Sequence, residues 1–310
     1  MAFEVLTRTP SLPMPGGGST WARWQALSAL GARDLCLVKL LEAHYDAQAI
    51  LQELGGDPPR PGQLWAVWAA EPPGVTLEFA PQDHLSGHLS GEKAWCSGAS
   101  LVSHALLTAT HDDARLLCRM AMDRTRLDYD DSRWQAVGMA RISSGTLRLR
   151  RAPAERVGAP GAYLARPGFW HGGAGIAACW HGGAVGVAQR LRRDARIGRN
   201  PHAAAHLGAV DVALAAASAL LKDTARRIDQ RPHDPHREAV TRLRACVAQV
   251  ATEVVERTGR ALGAGPLCTE GDHAQRCADL LIFIRQSHAE TDLQWLGEAA
   301  ARREDCPWTL

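Results

Sequence analysis

Few residues in this chain have a type and spacing that could do chemistry unaided. Trp170-His171-Gly172-Gly173-Ala174 recurs ten residues later as Trp180-His181-Gly182-Gly183-Ala184, so His171 and His181 could line a substrate pocket. A buried, hydrogen-bonded histidine is the plainer role for each. At about 100° per residue the two copies point roughly 80° apart on one helix, which makes them neighbours and not a shared stripe. Each glycine weakens a helix by up to about 1 kcal/mol relative to Ala, a cost that makes sense where another backbone or a flat ligand approaches closely. His202 and His206 have the i,i+4 spacing of metal ligands, but no third ligand or HExxH glutamate accompanies them, so no metal is expected. Eight cysteines without a CxxC pair fit reduced thiols. Ten Trp against four Phe and three Tyr suit walls around a planar ligand as well as ordinary cores.

The elements that must position these residues follow from length and texture. With 310 residues, 46% of them hydrophobic, two or three packed units are expected. The formal charge of +2 comes with no block of like charge, which excludes a nucleic-acid partner. The N-terminal stretch has no signal-peptide pattern and no later run suggests a membrane span, so the chain reads as cytoplasmic.

Residues 1–18 are Pro/Gly/Ser-rich and read as a flexible leader. A helical segment over 19–57 follows, with Gly31 a break and Gly55-Gly56 a stop. Over 58–165, short apolar runs alternate with turn clusters such as EPPG and DYDDS, the pattern of an antiparallel β domain. Residues 166–302 form Ala-rich helical segments at 169–193, 202–229, 236–262 and 271–300, a four-helix bundle, and 303–310 is a tail. Segregated α and β layers in this order predict an α+β fold. No GxGxxG or GxxxxGK[ST] follows a strand, which disfavours a doubly wound nucleotide-binding sheet.

The run Leu89-Ser90-Gly91-Glu92-Lys93-Ala94-Trp95-Cys96-Ser97-Gly98-Ala99 resembles the "L-x-G-x-K-x-W-I-[ST]-N-G" strand-turn-strand of the acyl-CoA dehydrogenase superfamily. Glu71-Pro72 resembles that family's T-E-P turn, and Gly138-Met139-Ala140-Arg141-Ile142-Ser143-Ser144 its "G-M-R-x-[ST]" segment. Gly183 to Arg190 matches its first bundle helix, and Arg260-Ala261-Leu262-Gly263-Ala264-Gly265 with Asp279 its "Q-x-x-G-G-x-G … R-D" stretch. The likeness spans about residues 21 to 297, and the chain is trimmed by roughly 70 residues relative to common members.

What the resemblance implies is an FAD-dependent oxidoreductase that dehydrogenates an acyl-CoA or other acyl thioester at its α,β-carbons, with hydride passing to flavin N5. Trp95 would flank the isoalloxazine, the Ser97 hydroxyl would bond near N5, and Glu71 and Ser144 would lie near the pyrimidine or phosphates. Gly263, Ala264 and Gly265 would lay backbone against the FAD pyrophosphate, and Arg196 or Arg199 would replace the usual diphosphate-binding arginine. The family's glutamate base falls on Ser287 in one register and on Ile176 or Ala177 in the other. None can abstract a proton, so Glu290 and His288 become the candidates. Two alternatives stay open: a flavin monooxygenase of the same superfamily, suggested by His288, and a catalytically silent flavin-binding or structural homologue. A homodimer or homotetramer is implied, and the electron acceptor is not identified.

Overall fold

The computed structural model describes residues 1–287, 289–306 and 308–309. The chain forms two compact units, one of residues 1–15 and 36–169, the other of residues 16–35 and 170–310. The composition is α+β.

The first unit opens with α1 (Ala2–Arg8), in the stretch read as a flexible leader. That expectation is corrected: Tyr45 Oη donates to the Thr9 carbonyl at 2.8 Å and Gln48 Nε2 to the Pro10 carbonyl at 2.8 Å. Two backbone acceptors thus hold the segment on the helix that carries Tyr45. Down the chain, α2 (Thr20–Arg33) belongs to the second unit, while α3 (Leu35–Glu53) lies almost wholly in the first. Ala47, Ile50 and Leu51 of α3 pack against Trp65, Leu106, Leu117 and Val157 of the sheet to form its core.

Seven strands follow: β1 (Trp65–Trp68), β2 (Leu77–Pro81), β3 (Ser86–Ser97), β4 (His104–His111), β5 (Ala114–Ala121), β6 (Leu127–Asp130) and β7 (Ser144–Val157). The sheet is mixed, not purely antiparallel, because β1 runs parallel to β4. β1 and β2 both pair with β4, at its two ends. β2, β3, β7, β5 and β4 pair in a closed ring. The β3–β7 ladder carries two irregularities, between Leu89 and Gly91 and between Lys93 and Cys96. Each has a residue in the left-handed region, Arg151 at φ 50° in β7 and Trp95 at φ 60° in β3.

Inside this ring lies a charged side chain. Lys93 is 2% exposed, and its Nζ donates to both the carbonyl and the Oγ1 of Thr108 at 2.7 Å. Thr108 Oγ1 in turn donates to Glu71 Oε1 at 2.5 Å, Glu71 lies 3.9 Å from Nζ, and Arg115 caps the carboxylate. Burial pulls the Lys93 pKa down to about 8, against the opposing pull of Glu71.

The remaining helices are α4 (Ala162–Ala165), α5 (Gly168–Arg192), α6 (Pro201–Gln230), α7 (Arg237–Leu262), α8 (Gly265–Thr269), α9 (Gly271–Phe283) and α10 (Ala289–Ala301). Asn200 Oδ1 caps α6 by accepting from the backbone of His202 and Ala203, with Pro201 in the first turn. The helix expected over 271–300 is broken. Ser287 is extended, and its hydroxyl bonds the Ile284 carbonyl, the local competition by which serine ends helices. By length and composition α6 could cross a membrane, with 17% of its apolar window buried, a feature the sequence reading passed over.

Within the second unit α2 and α5 meet backbone to backbone. A Cβ at Gly31 would stand 2.5 Å from the Cys179 carbonyl oxygen, and one at Gly182 would collide with the Ser28 carbonyl. Gly31 therefore does not break α2, which runs through to Arg33; it admits α5. Of the repeat's glycines, Gly182 serves the close approach of another backbone, whereas Gly183 lies against the side chains of Leu35 and Leu280.

Two measurements check this account. Gly182→Ala should lower stability by about 1–3 kcal/mol in chemical denaturation, because the Ser28 backbone cannot yield cheaply. Gly208→Ala on α6, where the added methyl meets nothing, should raise it by up to about 1 kcal/mol. Lys93 gives the second. Between about pH 8 and its ordinary 10.5 the unfolded chain binds more protons than the folded one, so stability rises with pH. Urea titrations should show wild type gaining about 1–3 kcal/mol on Lys93→Met across that window; equal slopes would refute the buried charge.

Candidate functional site

The bulge in β3 builds the site on the first unit. Two residues of β3 separate Lys93 from Cys96 where β7 spends one, so both side chains turn inward although three positions apart. Lys93 and Cys96 are buried, and the intervening Trp95 is thrown outward with 56% of its surface exposed. An aromatic residue that large, held in a left-handed conformation on the outside of a sheet, is strained and half solvated at once.

Ser97 follows on the same outward side and sits opposite Ser144 of β7. Their hydroxyls lie 2.6 Å apart. One O–H is spent inside the pair, so the second remains as a donor toward any acceptor placed before it. The surrounding backbone is pinned: Trp68 Nε1 donates to the Ser97 carbonyl at 3.1 Å, Gly98 N to the Ser143 carbonyl at 3.0 Å, and Gly145 N to Tyr129 Oη at 3.1 Å. Tyr129 Oη also donates to the Ser143 carbonyl at 3.1 Å. Sequence reasoning missed Trp68 and Tyr129. The alternation Leu127-Asp128-Tyr129-Asp130 is the signal that could have marked β6 inside what read as a turn cluster.

Of the residues singled out in the sequence, Trp95, Ser97 and Ser144 come together. Glu71 is committed elsewhere, its carboxylate held by Arg115 and Thr108.

On the second unit, Arg196 meets the glycine loop. Its Nη1 donates to the Leu262 carbonyl at 2.7 Å, immediately before Gly263, whose φ is 70°. Gly263 and Gly265 have open space where a side chain would begin. Ala264 caps the short α8, and Arg199 closes the turn after Arg196. Asp194 anchors the cluster, accepting from Arg196 Nε at 2.8 Å and Arg190 Nη1 at 2.8 Å, and these bonds hold its carboxyl well below the usual range.

His171 is buried with Nε2 2.9 Å from the Asp234 carbonyl, and His181 Nδ1 lies 3.2 Å from Ser28 Oγ. Burial lowers the His181 pKa, leaving the ring neutral at physiological pH. Glu290 is exposed in the first turn of α10. His288 lies outside the described residues. Among the described residues no cluster could hold a metal ion.

No protein-family profile matches the chain, and no curated protein sequence matches it either. Solved structures do match it. TdsC from Paenibacillus sp. A11-2, in complex with FMN and indole, superposes with a TM-score of 0.80 at 18% identity, over 94% of this chain and 86% of that one. Butyryl-CoA dehydrogenase from Megasphaera elsdenii gives 0.79 at 16% identity, over 92% and 83%. The prolyl acyl carrier protein oxidase AnaB gives 0.77 at 18%, over 90% and 83%. The chain therefore has the acyl-CoA dehydrogenase fold, a divergent example of an architecture found in dehydrogenases, oxidases and monooxygenases.

Proposed function

We propose that the chain is a flavin-dependent oxidoreductase. The observation that carries this reading is the Ser97–Ser144 hydroxyl pair beside an outward, strained Trp95: a flat aromatic wall two residues from a spare O–H donor suits a planar heterocycle with ring acceptors. Trp95 would cover one face of the ring system and keep water from it, and the hydroxyl pair would donate to a ring nitrogen or oxygen at its edge. Neighbours of this fold include one solved with FMN. The loop Gly263, Ala264 and Gly265, with Arg196 or Arg199 as its arginine, would lay backbone against the pyrophosphate of an FAD held by a neighbouring subunit. Bound there, flavin supplies the two-electron acceptor that no side chain of this protein can.

The reaction that follows from the fold's dehydrogenase members is α,β-dehydrogenation of an acyl thioester, carried by CoA or a carrier protein. Glu290 would take the α-proton. Its exposure favours a second reading, an oxygen-using reaction that needs no carboxylate base, and one neighbour of this fold is a dibenzothiophene monooxygenase. A homodimer or homotetramer is part of the proposal, because α6 leaves most of its apolar window uncovered and Val212 70% exposed.

Titration with FMN and FAD, followed by quenching of flavin fluorescence, should give saturable binding that Trp95→Ala and Ser97→Ala each weaken about tenfold, close to 1.4 kcal/mol. Absence of binding by either flavin sinks the proposal. With flavin bound, anaerobic bleaching by an acyl-CoA that slows at least about 100-fold in Glu290→Gln supports the dehydrogenase, whereas oxygen uptake with pre-reduced flavin supports the monooxygenase. Flavin binding without either activity identifies a silent homologue. Sedimentation should show an oligomer that Val212→Asp dissociates.

A further inference from the structure

A cleft of about 880 Å³ opens on the second unit where the C-terminal half of α5 meets the start of α9. Arg190, Arg193, Gly271, Asp272, His273 and Arg276 are among its lining residues. Three features there turn hydrogen-bond donors or positive charge toward the same space.

The first is the end of α9, a 13-residue helix whose N-cap, Glu270, makes no side-chain cap bond. The Glu270 carboxylate is taken by Arg190 instead, at 2.6 and 2.7 Å. The backbone N–H groups of Gly271, Asp272 and His273 are left without a side-chain acceptor at the positive end of the helix.

The second is His273, which is 6% exposed. Its Nε2 lies 3.8 Å from Cys277 Sγ, a thiol that burial pushes up to about 11 and so keeps protonated. In the tautomer in which that thiol donates to Nε2, the ring proton sits on Nδ1. That atom is buried and has no hydrogen-bond partner. A buried donor left unmatched is unfavourable, and an incoming acceptor relieves that cost.

The third is charge. Arg190 is neutralised by Glu270 and Asp194, and Arg276 donates to the Ala32 and Arg33 carbonyls, which leaves its charge in place. Arg193 forms no ion pair among the described residues. Three guanidinium groups face the two carboxylates of Glu270 and Asp272, so the lining is net positive before the helix end is counted.

We propose that this cleft binds a phosphate group. Backbone amides at the start of α9, the His273 imidazole and the exposed Arg193 guanidinium all belong to the lining, a set of donors that suits the several oxygens of a tetrahedral anion better than the two of a planar carboxylate. A metal cation would meet donors and positive charge. The site stands independently of the flavin reading: the phosphate can belong to a flavin nucleotide or to a phosphorylated substrate, and the binding chemistry is the same.

Calorimetric titration of the full-length protein with inorganic phosphate and with pyrophosphate tests the site. Saturable binding is expected, weakened about tenfold or more in Arg193→Glu and in His273→Ala. Arg193 is exposed in the turn that follows α5, so its variant keeps the fold, which circular dichroism verifies. Repeating the titration on protein saturated with FMN or FAD separates the sources: competition assigns the site to the flavin's own phosphates, and undiminished binding assigns it to another phosphorylated ligand. The proposal falls if neither anion binds saturably, or if both bind Arg193→Glu as tightly as wild type.

Discussion

One extra residue in β3, at Ala94–Trp95, is the constraint on which the first unit turns. Side chains on a strand alternate, so an inserted residue reverses which positions face in. Here the reversal lets a short run serve two environments. Lys93 and Cys96 face the ring's interior, where the ammonium is held by Thr108 and balanced by Glu71, while Trp95 and Ser97 face out. Without the insertion, Ser97 would not stand opposite Ser144, and the hydroxyl pair would not form. The left-handed backbone at Trp95 is the local cost, and the ladder on either side supports it.

The second unit depends on a different economy of space. Glycines at 31 and 182 let α2 and α5 approach until carbonyls of one touch the backbone of the other, a contact with no room for side chains. That closeness places Ala32 at the rim of the cleft where α5 and α9 meet. From Glu270 and Arg190 in that cleft a chain of charged groups runs on through Asp194 to Arg196, so the loop before Gly263 and the start of α9 share one electrostatic neighbourhood.

Much of the fold was legible in the sequence because it rests on local periodicity. The long helices and the Leu89–Ala99 motif show their pattern within a dozen residues, and Ser97 with Ser144 came from that motif and its partner segment. What was not legible rests on contacts remote in sequence. Nothing near Thr9 announces that Tyr45 will bind its carbonyl, and nothing near Trp65 announces a parallel pairing with His104. The break at Ser287 lacks a proline or glycine to signal it. Glu71 was legible as a turn residue but not as the counterion of Lys93, because strand pairing across the ring sets that distance. His273 carried no motif at all; its interest arises from Cys277 one turn away and from a cleft made by three helices.

Ring closure in the first unit has a consequence for how the protein behaves in a crowded solution. β2, β3, β4, β5 and β7 each hold partners on both sides for at least part of their length. The strands left with a whole side unpaired are β1 and β6, each four residues long. A template that short offers little to a second chain seeking to add itself, so intermolecular strand pairing and amyloid-type growth are discouraged by topology alone, without charged gatekeepers along a long rim.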